Sequence, residues 1–419
     1  MKTVEKTSVS EIFVEAPPSK AHTLRALIIS ALAEGKSTVR NALLGDDQMN
    51  VMECLRRLSV RIEHSEGVIE VRGSGGSFLP VGEELNVGES GVGMNFLASA
   101  ACLSDKPVII TGAKRITERP IDEVVSGLRQ LGCRIEHLGD EGFPPIKVYG
   151  GGIGGGRARI HGAKTSQYFS SLVTSCPYAA EPVTLECIDE MTEKPYLDIS
   201  LQMMREFGVE ARNESYKRIS IPKGRYSGRD FTVEGDYSSA SFFFLAGAIC
   251  GIKVTVGGLN PNTRQGDSAF LRLMEKMGCG VQVISEGISV EGRGLSGVEQ
   301  DMSDIPDLVP PAAIAAAFAA GTSRFTNIGH LRLKECDRLA VMACELGKMG
   351  VKGACDEDSL TIEGTAGAHG AEIDPHNDHR IAMSFAVAGL VTGGQRILNE
   401  TCVAKSFPDF WERFEVFRG

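Results

Sequence analysis

Residues 127–136 read GLRQLGCRIE, a helix-like apolar spacing that runs into a glycine and then into strand-like alternation. The same order recurs in CLRRLSVRIE (54–63), MMREFGVEAR (203–212), LMEKMGCGVQV (273–283) and ELGKMGVKGA (345–354). The break residues Ser59, Gly132, Gly208, Gly278 and Gly350 lie 73, 76, 70 and 72 positions apart. A second series runs from apolar helix through a short polar break to a strand: ALAEGKSTVRN, ACLSDKPVIIT, CPYAAEPVTLE, AICGIKVTVGG, AFAAGTSRFTN and LVTGGQRILNE. Its breaks at Gly35, Asp105, Glu181, Gly251, Gly321 and Gly394 are 70, 76, 70, 70 and 73 apart. Two series with one period mean an internal repeat, and six units of about 72 residues fill nearly the whole chain. Each unit is expected to carry two helices and three or four strands, with glycine ending helices where the backbone turns left-handed. A parallel doubly wound sheet would need long buried strand runs. These strands are short and amphipathic, which places sheets outside and helices inside an α/β fold.

Composition bounds the rest. Over 419 residues, 42% hydrophobic and 23% charged are globular values that exclude disorder, collagen and coiled coil. The longest apolar stretch, around 310–320, is about half a membrane span. The opening MKTVEKTSVSEIFVEA scatters Lys and Glu where a signal peptide needs an apolar run, so a soluble cytoplasmic protein is expected. Lys and Arg number 44 and Asp and Glu 54, and the net charge of 44 − 54 = −10 argues against nucleic acid or anionic membrane as partner. Eleven cysteines at wide spacings contain no CxxC, and Cys336, Cys344 and Cys355 lack zinc-like pairing. Reduced thiols with no metal site are expected. The stretch YGGGIGGGRARI (149–160) satisfies GxGxxG at Gly150, Gly152 and Gly155. A dinucleotide fingerprint must open a helix, whereas both flanks here are strand-like, so a flexible hairpin loop is expected.

Several short segments set Arg or Lys beside glycine, serine or a carboxylate at corresponding places in different units. They are PPSKAHTLRAL (17–27), TGAKRITERPI (111–121), HLRLKECDRLA (330–340), PHNDHRIAM (375–383) and CVAKSFPDF (402–410). Any one of them reads as a solvated charged surface. Together, each at a turn and several mixing acids with bases, they suit a multiply anionic substrate gripped by Arg forks.

These segments, with TSQ (165–167), EKPY (193–196), EGDYSSAS (234–241), IPDLVP (305–310), NDHR (377–380) and AKSFPD (404–409), resemble the enolpyruvyl transferases over essentially the full chain. The likeness is greatest to archaeal-type sequences that use shikimate 3-phosphate. The resemblance implies a two-domain inverted (inside-out) α/β barrel of six βαβαββ repeats. One domain would be 16–232 and the other 1–15 plus 233–419, with crossings near 14–18 and 231–236. It implies transfer of the enolpyruvyl group of phosphoenolpyruvate to the 5-hydroxyl of shikimate 3-phosphate, by a monomer with no metal or organic cofactor. Lys20, Gly91, Arg119, Gln167, Arg338, Arg380 and Lys405 match the positions around phosphoenolpyruvate. Glu335 and Lys20 match the acid–base pair, and Asp307 matches the carboxylate that takes the acceptor's proton. Arg25, Thr165, Ser166, Gln167, Tyr196, His330 and Lys334 match acceptor contacts, and the two domains are expected to close on ligand.

The departures from the family bear on the acceptor. Ala21 and Glu193 stand where the family usually has Ser, and Glu89, Val92 and Asn95 where it has Asn, Thr and Arg. Each change removes a donor or adds negative charge, which leaves open a related transferase acting on a different, less anionic alcohol. Glu193 and Glu89 pointing to solvent, or pairing with Lys194 and another cation, would leave the usual acceptor in place. The relative acting on a UDP-amino sugar fits less well, since GAKRITERP has no Cys. A binding module without catalysis would be expected to lose acids and bases that this chain retains.

Overall fold

All five breaks of the first series are left-handed in the computed structural model, which describes residues 1–418. Their φ values are 64° at Ser59, 89° at Gly132, 100° at Gly208, 108° at Gly278 and 79° at Gly350. Each ends a helix and turns the chain into a hairpin. The repeat is clearest in the strand Glu84–Asn86, helix Gly91–Ala101, strand Val108–Thr111, helix Asp122–Gln130 and hairpin Ile135–His137/Ile146–Val148. The first two strands pair parallel, and the last strand lies antiparallel between the second and its own hairpin partner. Five sheets have this four-stranded order. The sixth has three strands, Glu372–Ile373, Gln395–Ile397 and Lys2–Val4, so the N-terminus supplies its antiparallel partner. Among the described residues no sheet closes into a barrel.

Two sheets take their first strand from far along the chain. Asp230–Thr232 pairs parallel with Lys36–Arg40, and Glu11–Glu15 with Lys253–Gly257. The contacts accordingly divide the chain into two compact units, Lys20–Val233 and Met1–Ser19 with Glu234–Gly419. Residues 16–19, expected with the middle of the chain, cluster with the terminal unit. The Ala16 N–H donates to the Gly257 carbonyl and the Asp236 N–H to that of Pro17, which ties the segment to that side.

Within each unit the first helix of every repeat is buried nearly all round. Lys20–Leu32 is buried from His22 to Leu32, and Tyr237–Cys250 from Tyr237 to Ala248. Phe242, Phe243 and Phe244 on the latter each contribute about 1.5–3 kcal/mol by burial. The second helices are amphipathic: Ala269–Met277 buries Phe270, Leu273, Met274 and Met277, one helical stripe. Glycine closes several repeats where the last strand meets the end of the buried helix. A Cβ at Gly73, Gly292 or Gly364 would stand 2.1, 1.9 or 1.9 Å from the carbonyl oxygen of Ala33, Ala248 or Ala319.

The glycine-rich stretch is not a hairpin. Ile146–Val148 before it and Gly156–Ile160 after it belong to different sheets, so it links two repeats. Alternation on both flanks cannot distinguish these cases, because it does not say which strand each flank pairs with. No described helix is long and apolar enough to cross a membrane.

Candidate active site

The buried helices of the unit Lys20–Val233 begin at Lys20, Gly91 and Gln167, three of the residues singled out in the sequence. A helix start presents unpaired N–H groups and the positive end of the peptide dipoles, which favours anions there. Lys20 sits with its ammonium 2.7 Å from the Asp47 carboxylate. Gly91 lies under the Arg119 guanidinium. A Cβ at position 91 would stand 2.5 Å from Arg119 Cζ and both terminal nitrogens, so only glycine allows this stacking. The Ser90 hydroxyl caps the same helix by accepting from the Gly93 N–H. One turn on, Asn95 donates to the Gly91 carbonyl at 3.0 Å and to Gln167 Oε1 at 3.3 Å, joining two helix starts. Asn95 therefore braces these two helix starts against each other.

Thr165, Ser166, Glu193, Tyr196 and Arg25 form a second group in this unit. Glu193 opens the helix Lys194–Glu206 in left-handed conformation (φ 56°) and is only 2% exposed, so it does not point to solvent. Its carboxylate accepts from the Thr165 hydroxyl, and its backbone carbonyl from Ser166 Oγ at 2.7 Å. Lys194 pairs with Glu190 at 2.9 Å. Arg25 is buried one and a half turns into its helix rather than at a turn. Three of its N–H groups are engaged, by Ser200 Oγ (2.7 Å) and the carbonyls of Ala21 (3.0 Å) and Tyr196 (2.9 Å). Burial pushes Arg25 down to about 10, partly offset by Tyr196 and Glu193, so it stays charged at neutral pH.

In the other unit the sequence-selected residues converge on Arg338. This guanidinium is 1% exposed and donates to Asp378 (2.7 Å), Asp307 (2.8 Å) and Glu335 (2.8 Å). Arg380 donates to the second oxygen of Asp307 at 2.8 Å and to the Ser238 hydroxyl. Lys405 lies 3.1 Å from the second oxygen of Glu335. Both oxygens of Glu335 and both of Asp307 thus face cations. Burial alone would raise Asp307, but Arg380, Arg338 and Lys334 outweigh it and hold the carboxyl well below the usual range. Arg338 moves up, because Asp378, Glu335 and Asp307 outweigh its burial. Asp378 also caps the helix His379–Thr392, accepting from the Arg380 N–H at 2.9 Å, which fixes where Arg380 begins. His330 lies in the turn Gly329–Leu333 just before Lys334, which is itself 7% exposed.

Sequence reading passed over Asp47, Ser238 and Asp267. Ser238 lay inside the quoted EGDYSSAS, and Asp47 opens a helix within GDDQMN, so a signal existed for both. Asp267, in RQGDSAF, has no such signal, because its burial shows only in the fold.

Residues 4–414 match the family model of EPSP synthase (3-phosphoshikimate 1-carboxyvinyltransferase). Curated proteins named 3-phosphoshikimate 1-carboxyvinyltransferase are similar along the whole chain. That of Methanoculleus marisnigri is 43% identical and aligns over 98% of this chain and 97% of its own length. That of Pasteurella multocida is 40% identical over 98% and 96%. A solved EPSP synthase from Acinetobacter baumannii superposes with a TM-score of 0.81 at 28% identity, over 98% of this chain and 96% of that one. With six repeats in place, a family match over residues 4–414 and 43% identity to a curated relative along nearly its full length, the chain belongs to the EPSP synthase family.

Proposed function

We propose that the protein transfers the enolpyruvyl group of phosphoenolpyruvate to the 5-hydroxyl of shikimate 3-phosphate and releases phosphate. Family membership over residues 4–414 supports the reaction, and the Asp307–Arg338–Glu335–Lys405 network carries its chemistry. Direct displacement at a vinyl carbon has no accessible path, so the hydroxyl oxygen must add to C2 while C3 gains a proton. C3 then loses a proton as the C2–O bond to phosphate breaks. Such a sequence needs one group to take the hydroxyl proton, one to move a proton at C3, and cations for the departing phosphate.

In this reading Glu335 and Lys20 move the C3 proton and Asp307 takes that of the hydroxyl. Held down by Arg380 and Arg338, Asp307 is a weak base at rest. A substrate anion that draws those guanidiniums away returns basicity to it. Lys20, Gly91, Arg119, Gln167, Arg338, Arg380 and Lys405 bind phosphoenolpyruvate. Arg25, Thr165, Ser166, Gln167, Tyr196, His330 and Lys334 hold the acceptor. A single cytoplasmic chain suffices without metal or organic cofactor, since phosphoenolpyruvate brings its own activated bond. Phosphate release from phosphoenolpyruvate, dependent on shikimate 3-phosphate and accompanied by the enolpyruvyl ether, is the expected result. Release without the ether, or no release at all, would overturn the reading.

A further inference from the structure

Asp267 belongs to none of the motifs above. It lies in the turn Gly266–Ser268 that leads into the helix Ala269–Met277, and it is 4% exposed. Side chains from three other elements face it. They are Asp236 and Ser238 at the start of Tyr237–Cys250, Asp307 in the turn Pro306–Leu308, and Arg380 at the start of His379–Thr392. The Ser238 hydroxyl accepts from Arg380 Nη1, which leaves its own single proton for the Asp267 carboxylate. The other terminal nitrogen of Arg380 donates to Asp307 at 2.8 Å. Arg380 is thus held between two acids, directly by Asp307 and through a hydroxyl by Asp267.

The two acids differ in what an arriving anion does to them. A phosphate or carboxylate that takes Arg380 competes with Asp307 for the same N–H. Asp267 stands behind Ser238, so the anion adds repulsion there without taking its place. Burial first, then Asp307, push the Asp267 acid up to about 7, against the pull of Arg380. Further negative charge moves it higher still.

We infer that Asp267 is a positioning residue for Arg380 that takes up a proton from solvent when an anionic substrate binds there, so that the buried negative charge does not grow with the arriving anion. The inference rests on the reading of Arg380 as an anion-binding group. The sign follows from linkage: complex formation binds a proton, so affinity falls as pH rises above about 7, by up to tenfold per pH unit until the complex also loses its proton. Below that range the proton is already in place and the dependence vanishes.

Titration calorimetry of the intact chain with phosphoenolpyruvate, in buffers of different ionisation enthalpy between pH 6 and 9, counts the protons taken up. The parent is expected to show uptake near pH 7.5 beyond that of Asp267→Asn, which shares the ligand's own ionisation. Its affinity should fall several-fold more than the variant's between pH 7 and 8.5. Equal uptake and equal slopes in parent and variant overturn the inference. If Asp267→Asn does not fold, the parent decides it, because uptake no larger than the ligand's own ionisation overturns it equally. Ser238→Ala, which removes the hydroxyl shared by Arg380 and Asp267, should raise the KM for phosphoenolpyruvate several-fold while uptake persists and moves to higher pH, because that hydrogen bond holds the Asp267 acid down. Arg380→Ala tests the underlying reading by itself, since undiminished affinity there removes both.

Discussion

Arg25 and Arg338 are both buried guanidiniums, and their surroundings differ in kind. Arg25, in the unit Lys20–Val233, gives its protons to a serine hydroxyl and two backbone carbonyls. Arg338, in the other unit, gives its protons to Asp378, Asp307 and Glu335. The neutral partners of Arg25 leave its charge uncompensated by contact, and burial lowers its proton affinity. The three acids around Arg338 do the reverse. The same residue type thus serves two ends. Around Arg25 the protein holds a positive potential in place. Around Arg338 it sets three carboxylates against cations and holds Asp307 well below the usual carboxylate range, the arrangement that the proposed proton transfers would use.

The contrast is broken most directly at Glu335. Its oxygens lie 2.8 Å from Arg338 and 3.1 Å from Lys405, and Glu335→Gln keeps size and hydrogen bonding but cannot relay a proton. Turnover should fall by roughly 10²–10⁴-fold, the usual worth of a positioned acid–base group, while phosphoenolpyruvate affinity stays near that of the parent. Steady-state kinetics with equilibrium binding of phosphoenolpyruvate separates the two. Turnover within about threefold of the parent, well short of a general-acid effect, would leave Lys20 as the better acid.

Stability sharpens it next. Arg338→Met leaves three acids facing one another with less counter-charge, and should cost about 3–5 kcal/mol in denaturant unfolding. Arg25→Met strands only a hydroxyl and two carbonyls, and should cost about 1–3 kcal/mol. Equal losses would mean that the acids around Arg338 are relieved by solvent and that the two guanidiniums are held alike.

These two clusters also differ in how far they can be read from sequence. Lys334, Glu335 and Arg338 are contiguous in LRLKECDR, and Asp378 and Arg380 in NDHR, so a helix start brings each set together with no long-range information. Arg25 comes from one repeat and Thr165 and Glu193 from the two helix starts of another, and nothing local says that Glu193 turns inward on a left-handed residue. The repeat itself was legible because a helix that must end in a tight turn calls for a left-handed residue, and Gly132, Gly208, Gly278 and Gly350 supply one. Ser59 does the same without being glycine and was found only by its spacing. Strand pairing was not legible, which is why residues 149–155 looked like a hairpin although the two flanks join separate sheets.

Removing a cation that lies nearer the surface tests a smaller effect. Arg119 is half-buried over Gly91, and Arg119→Ala should weaken phosphoenolpyruvate binding by about 1.5–3 kcal/mol, one charge-assisted contact, with the fold retained. Thermal unfolding checks the fold and calorimetry the affinity. Unchanged affinity would remove Arg119 from the site.

The smallest expected effect concerns Glu193, the carboxylate that faces Thr165. If Thr165 and Ser166 receive the acceptor's phosphate, the Thr165 hydroxyl must leave Glu193, and a buried like charge then stands beside the phosphate. Arg25 lies close enough to Glu193 to feel its charge, which moderates the repulsion without cancelling it. Glu193→Ser removes the charge and leaves a hydroxyl. The KM for shikimate 3-phosphate should drop by about fivefold, equivalent to about 1 kcal/mol for one screened charge pair, while the KM for phosphoenolpyruvate holds. Salt discriminates the cause, since an electrostatic gain shrinks as ionic strength rises. A higher KM for shikimate 3-phosphate in the variant would reverse the assignment. Glu193 would then be the brace that orients Thr165 toward the acceptor, and the carboxylate would belong to the binding surface rather than oppose it.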